Sequence, residues 1–206
     1  MVITGLYYAL ALIAGGLCIT YFTKPVAGTP FYLLALFCLY FFRDPDREIP
    51  PGPVAVSPAD GRVVAVAPEG ADQRRVSIFL NIFDVHVNRS PIAGTVTNVE
   101  YRPGRFHIAS SAEASVHNEM NVITVEDGGT KLVFKQIAGL VARRVVCDKK
   151  AGDRVEKGER IGIIKFGSRM DVLFGPEWEI LVREGERVSA GASVLARKGA
   201  DKWRHD

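Results

Sequence analysis

The sequence predicts a mainly β (α+β) protein, a barrel- or sandwich-like β domain preceded by an N-terminal hydrophobic helical hairpin. Three observations predict it. Residues 1–42 carry a single charged side chain, Lys24. Residues 43–53 are crowded with proline and charge, which ends any helical pattern. Beyond them, short runs rich in Val and Ile alternate with glycine-bearing turns. The expected organisation is membrane-anchoring helices over 1–42, a linker over 43–53 and a β-rich domain over 54–206.

Residues 3–22 are apolar or small and uncharged. As a helix they match the roughly 30 Å hydrocarbon core of a bilayer. A second apolar run, residues 31–42, spans only about 18 Å as a helix. Started near Val26, it nearly spans. A two-helix hairpin and a spanning helix with a re-entrant partner both fit. A cleavable signal peptide fits poorly, because no basic segment precedes the first run and a second follows at once. Arg43 and Arg47 flank the exit, against Lys24 in the connection, which places the following domain on the cytoplasmic side of the cell membrane.

The strand-like runs are residues 54–56, 62–66, 76–80, 122–125, 131–134, 161–164 and 179–182. Asp60-Gly61, Asp127-Gly128-Gly129, Gly152-Asp153 and Lys157-Gly158 supply turns between them. Residues 138–147 suit a short helix or a strand. The segment 151–162 is spaced like the strand-turn-strand of biotinyl or lipoyl carrier domains, and Lys165 is the lysine near the equivalent tip. It lacks the flanking residues such carriers use.

The 206 residues carry a formal net charge of +3 and no Lys/Arg block, which argues against a nucleic-acid partner. Cys18, Cys38 and Cys147 form neither a CxxC nor a Cys/His spacing. A structural metal and a disulfide framework are therefore not expected, and buried reduced thiols are.

Candidate chemistry gathers at a few positions. Gly167-Ser168 follows an apolar run. The dipeptide commonly makes a turn. It also allows the serine hydroxyl to attack the sterically open glycine carbonyl. The resulting ester can eliminate, cutting the chain and leaving a pyruvoyl group, an electron sink, on Ser168. His86 lies in Phe83-Asp84-Val85-His86-Val87-Asn88-Arg89-Ser90-Pro91, where alternation predicts Val85 and Val87 on one face and His86 on the other. Asp60 reads either as a hairpin-turn residue or as a carboxylate that orients a histidine. His107, His117 and His205 are the remaining histidines.

Ser-Pro-Ala-Asp-Gly at 57–61, Asp-Val-His-Val-Asn-Arg-Ser-Pro at 84–91, Asn118-Glu119 and Phe-Gly-Ser-Arg at 166–169 occur in that order. Together they resemble the phosphatidylserine decarboxylase family, in its short prokaryotic (type A) form. The resemblance implies a pyruvoyl-dependent, membrane-associated enzyme that converts phosphatidylserine to phosphatidylethanolamine. It implies self-cleavage between Gly167 and Ser168 into a β chain, 1–167, and an α chain, 168–206, that form a heterodimer. It assigns Asp60, Ser168 and His86 to the site, with Ser168 as the source of the pyruvoyl cofactor. One departure stands out. Longer members place a second histidine where this chain has Arg89, which cannot act as a base because it stays protonated. His86 serving both maturation and turnover is the favoured solution; His107 or His117 is the other. Two further functions fit the same sequence: an archaetidylserine decarboxylase, and a membrane-tethered carrier module modified at Lys165.

Overall fold

The computed structural model describes residues 2–104, 118–139, 145–164 and 167–199. His107, His117, Lys165, Phe166 and His205 lie outside them. Met1–Asp46 and Arg47–Asp206 form two compact units.

The first unit is a helix pair, α1 (Ile3–Phe22) and α2 (Pro25–Phe41). Pro25 starts α2 at a position where its missing N–H costs nothing. The second helix thus begins before residue 31, at the nearly spanning length that a start near Val26 implies, and it carries Pro30 inside. The buried residues of α1 are the small ones, Gly5, Ala9 and Gly16. A Cβ at Gly28 would clash with Thr20 Oγ1 and with the Gly16 carbonyl, so the two backbones approach where both helices carry glycine. Large apolar side chains point outward instead, among them Leu10, Leu17, Leu33 and Leu36. Small residues inside and large apolar ones outside is the packing of helices whose surroundings are as apolar as their contact. α1 alone has the length and hydropathy to cross a bilayer among the described helices. Cys18 is exposed and Cys38 and Cys147 are half-buried, all three free, so the thiols are less buried than the composition predicts.

The second unit is all β among its described residues. Its strands are β1 (Val54–Val56), β2 (Gly61–Glu69), β3 (Gln73–Leu80), β4 (Val87–Arg89), β5 (Gly94–Arg102), β6 (Met120–Asp127) and β7 (Thr130–Ile137). They continue as β8 (Val145–Cys147), β9 (Arg154–Val155), β10 (Arg160–Ile164), β11 (Ser168–Phe174), β12 (Trp178–Ile180), β13 (Arg187–Val188) and β14 (Val194–Lys198). An eight-stranded sheet in the order β13-β2-β3-β11-β7-β6-β5-β9 is joined by two three-stranded sheets, β1-β14-β12 and β4-β10-β8. Pairing is antiparallel throughout these ladders. Register shifts at Val63/Ala65 and Val96/Asn98 sharpen the twist, which curls the large sheet toward a half-barrel. The carrier-like segment 151–162 runs through β9, a turn and β10; β9 joins β5, whereas β10 joins β4 and β8.

Strand periodicity sets the core. Val76, Ile78 and Leu80 of β3 share the interior face with Leu132 and Phe134 of β7 and with Met170, Val172 and Phe174 of β11. Each such side chain contributes about 1.5–3 kcal/mol by leaving water. The opposite face of β11 carries Arg169 and Asp171, buried as a two-point pair with Nε–Oδ1 at 2.6 Å and Nη2–Oδ2 at 2.9 Å. Gly61, at φ +152°, lies so close to the Phe79 carbonyl that any Cβ there would strike it. That approach lets β2 begin directly on β3.

Candidate active site

Ser168 opens β11 and pairs with Leu80 of β3. It shares the phase of Met170, Val172 and Phe174, so its side chain faces the interior. It is 0 % exposed, and its Oγ has no hydrogen-bond partner among the described residues. Buried hydroxyls normally have one, which makes this oxygen a candidate for chemistry. Gly167, just before it, has φ +56°. A Cβ there would meet nothing within 4 Å. The glycine is needed for its left-handed backbone and not for want of room. The Gly-Ser bond lies where the chain leaves the small β4-β10-β8 sheet and enters the centre of the large one.

His86 stands just ahead of β4 and is fully buried. Val85, at 4 %, and Val87, at 4 %, are buried as well, so both faces of this segment are covered and the simple inside/outside alternation does not apply. His86 Nδ1 lies 2.9 Å from the Asp84 carbonyl. A carbonyl only accepts, so Nδ1 carries the proton and the neutral ring has its lone pair on Nε2. The His86 carbonyl accepts from the Ile164 N–H at 3.4 Å, so the chain on its way to Ser168 runs alongside this histidine.

Asp60 occupies the β1–β2 turn. Its carboxylate is gripped by Arg47 Nη2 at 2.9 and 3.0 Å and accepts the Ala190 N–H at 2.8 Å. Gly61 starts β2 and Ser168 starts β11, both at the Phe79-Leu80 end of β3, so Asp60 and Ser168 belong to the same end of the sheet, with β3 between their strands. Asp60 thus sits in the turn that its sequence setting predicts, and among the described residues its carboxylate meets Arg47 and the Ala190 N–H, with no hydrogen bond to a histidine. Arg89 is buried, and its Nη1 donates to the Gly158 carbonyl at 3.0 Å. It is thereby tied to the 156–159 turn, where Lys149 holds the Glu159 carboxyl below its usual range by a hydrogen bond.

The sequence reading passed over a line of three buried amides. Asn121 Nδ2 donates to Gln136 Oε1 at 3.0 Å, and Gln136 Nε2 donates to Asn88 Oδ1 at 2.9 Å. The signal was present in the strand phase: Asn121 falls in step with Ile123 and Val125, and Gln136 with Leu132 and Phe134, so each is a polar residue on an apolar face. Asn118, from the quoted motif, donates to the Ala138 carbonyl at 2.7 Å, beside the end of β7.

Comparison with known proteins settles the family. The phosphatidylserine decarboxylase family profile matches residues 34–196. The chain belongs to the phosphatidylserine decarboxylase family. It is 64% identical over 198 residues to the phosphatidylserine decarboxylase proenzyme of Solibacter usitatus, covering 96% of this chain and 97% of that one. It is 50% identical to the proenzyme of the same name from Salinibacter ruber, over 78% of this chain and 75% of that one. The proenzyme from Magnetococcus marinus is 47% identical over 81% of this chain and 80% of its own. As a member of the phosphatidylserine decarboxylase family, in its short bacterial form, the chain is a decarboxylase, and the matched region contains Asp60, His86, Gly167 and Ser168.

Proposed function

We propose that this decarboxylase converts phosphatidylserine to phosphatidylethanolamine with a pyruvoyl group that it makes from Ser168 by cutting itself at Gly167-Ser168. The observation that carries the reading is the Ser168 hydroxyl: buried, without a hydrogen-bond partner among the described residues, and directly after a left-handed glycine. The cut begins with His86 Nε2 taking the hydroxyl proton. The oxygen then bonds to the Gly167 carbonyl carbon, and the C–N bond breaks to leave an ester and a free amine on residue 168. Loss of the Ser168 α-proton expels the Gly167 carboxylate and closes a Cα=Cβ bond. Water then replaces the amine as ammonia. Asp60, held by Arg47 at this end of the sheet, is the carboxylate of the proposed site.

The pyruvoyl group, once formed, supplies an electron sink next to the substrate carboxylate. The residues around it do the rest. Leu80 and Met170 line the interior on either side of Ser168 and make an apolar setting, which favours a transition state with dispersed charge over a carboxylate. His86 returns a proton to the α-carbon, a task suited to an imidazole. Lipid as substrate is supported by the outward-facing leucines of α1 and α2, and by exposed Ile82 and Phe83 in the turn between Leu80 and His86. In this reading the helices anchor the enzyme in the cell membrane with its β domain on the cytoplasmic side, where Arg43 and Arg47 place it.

Substitution separates the roles. Ser168→Ala stops the cut and leaves one chain on a denaturing gel; active, cut protein from this variant contradicts the proposal. His86→Ala loses the cut while Arg89→Ala retains it if His86 is the base. The reverse pattern assigns the role elsewhere.

A further inference from the structure

Asn88 is fully buried on β4, two residues after His86. Its amide orientation is fixed from outside. Gln136 Nε2 lies 3.1 Å from the Val146 carbonyl, which only accepts, so the Gln136 nitrogen must be on that side. Gln136 then presents its oxygen to Asn121 and its nitrogen to Asn88, and Asn88 must offer Oδ1 in return. Asn88 Nδ2 is left with two N–H bonds, buried and with no acceptor among the described residues. An unpaired buried amide of this kind is destabilising. Only the Asn88 oxygen is used by the structure, as the acceptor for Gln136; its nitrogen is not.

The location of this donor indicates its use. Gln136 pairs with Met170 across β7 and β11, and Met170 shares the interior face with Ser168. Asn88 therefore reaches the same interior region as the Ser168 hydroxyl, through a side chain aligned by Gln136. Two buried polar groups, one nucleophile and one donor, both without a hydrogen-bond partner among the described residues, thus lie toward the same interior face of the large sheet.

We propose that Asn88 Nδ2 is the hydrogen-bond donor for an anionic oxygen that forms or binds beside Ser168 on this interior face. This rests on the reading of Ser168 given above. Two sources of that oxygen share the chemistry: the oxyanion that forms on the Gly167 carbonyl during the cut, and the carboxylate of an amino-acid headgroup. Asn88→Leu removes the donor and keeps the branching at Cγ, with two methyl groups in place of the amide oxygen and nitrogen. Asn88→Asp keeps an oxygen for Gln136 and puts a negative charge where the donor was. Both are compared with wild type by thermal unfolding, by the first-order rate of self-cleavage in freshly synthesised full-length chain, and by kcat and KM of the cut enzyme on phosphatidylserine in mixed micelles.

Asn88→Asp, the size of asparagine, keeps the test where the leucine variant does not fold, because Asn88→Leu leaves one Gln136 N–H without its acceptor and adds bulk at a buried site. Cleavage of Asn88→Leu slows by about 100- to 1000-fold if the oxygen is the oxyanion. If the oxygen is the substrate carboxylate, cleavage is unchanged and KM rises by at least about tenfold. Asn88→Asp shows the same defect, relieved toward acid pH as the new carboxyl takes a proton and becomes a donor. Cleavage rate and kcat/KM both within about threefold of wild type in either folded variant overturn the proposal. Wild type that is neither cut nor active overturns the underlying reading instead.

Discussion

Gly167 has φ +56° and open space where a Cβ would go. A substitution there is resisted by backbone conformation alone. Gly167→Ala costs about 1–2 kcal/mol, the penalty for an L residue in the left-handed region. The protein folds, melts a few degrees lower and, with its scissile carbonyl rotated, cuts itself more slowly than wild type in a pulse-chase gel. Unchanged cleavage would show that the left-handed geometry plays no part. The dipeptide itself was legible in the sequence. The burial of Ser168 was not, because nothing in Gly-Ser distinguishes a solvent turn from the junction of two sheets. His86, Asp60 and Arg89 were legible as residues but not in their bonds. The Arg47 grip on Asp60 spans 13 positions and Arg89's bond to Gly158 spans 69, so each depends on the tertiary fold.

At the scale of elements, α1 was readable to the residue, since an uncharged run in lipid-like surroundings has few alternatives. Strand β1 was equally clear, and β3, β6, β7 and β10 differed mainly at their ends. β11 escaped notice although its alternation is regular, with Met170, Val172 and Phe174 facing in and Arg169 and Asp171 facing out. Charged residues at two of seven positions suggest an exposed edge, whereas here they neutralise each other in a buried pair at the centre of the sheet. That pairing makes β11 sensitive to the loss of one partner. Asp171→Ala leaves the Arg169 guanidinium buried without its carboxylate and destabilises the fold by about 3–5 kcal/mol, measured as a lower urea midpoint. The joint change Arg169→Met with Asp171→Leu costs much less. If the single and double variants lose the same amount, the pair is not what holds β11.

For the molecule as a whole, the proposed cut at 167–168 would divide the chain but not the fold. Residues 168–199 supply β11, which sits between β3 and β7, together with β13 on β2 and β14 on β1. Two pieces made by the proposed cut would stay joined by ladders on several strands. The anchor gives a separate prediction. Deleting residues 1–42 leaves cleavage intact but lowers activity on phosphatidylserine vesicles more than on a short-chain soluble analogue, since an anchored enzyme meets its lipid by lateral diffusion. An equal effect on both substrates argues against an anchoring role. The central claim, that Ser168 becomes the cofactor, is tested most directly by intact mass spectrometry of the purified full-length protein under denaturing conditions. The account predicts two chains ending and beginning at Gly167 and residue 168, with the C-terminal chain carrying a pyruvoyl group in place of its serine. A single intact chain of 22.5 kDa, or a C-terminal chain that still begins with serine, would contradict it.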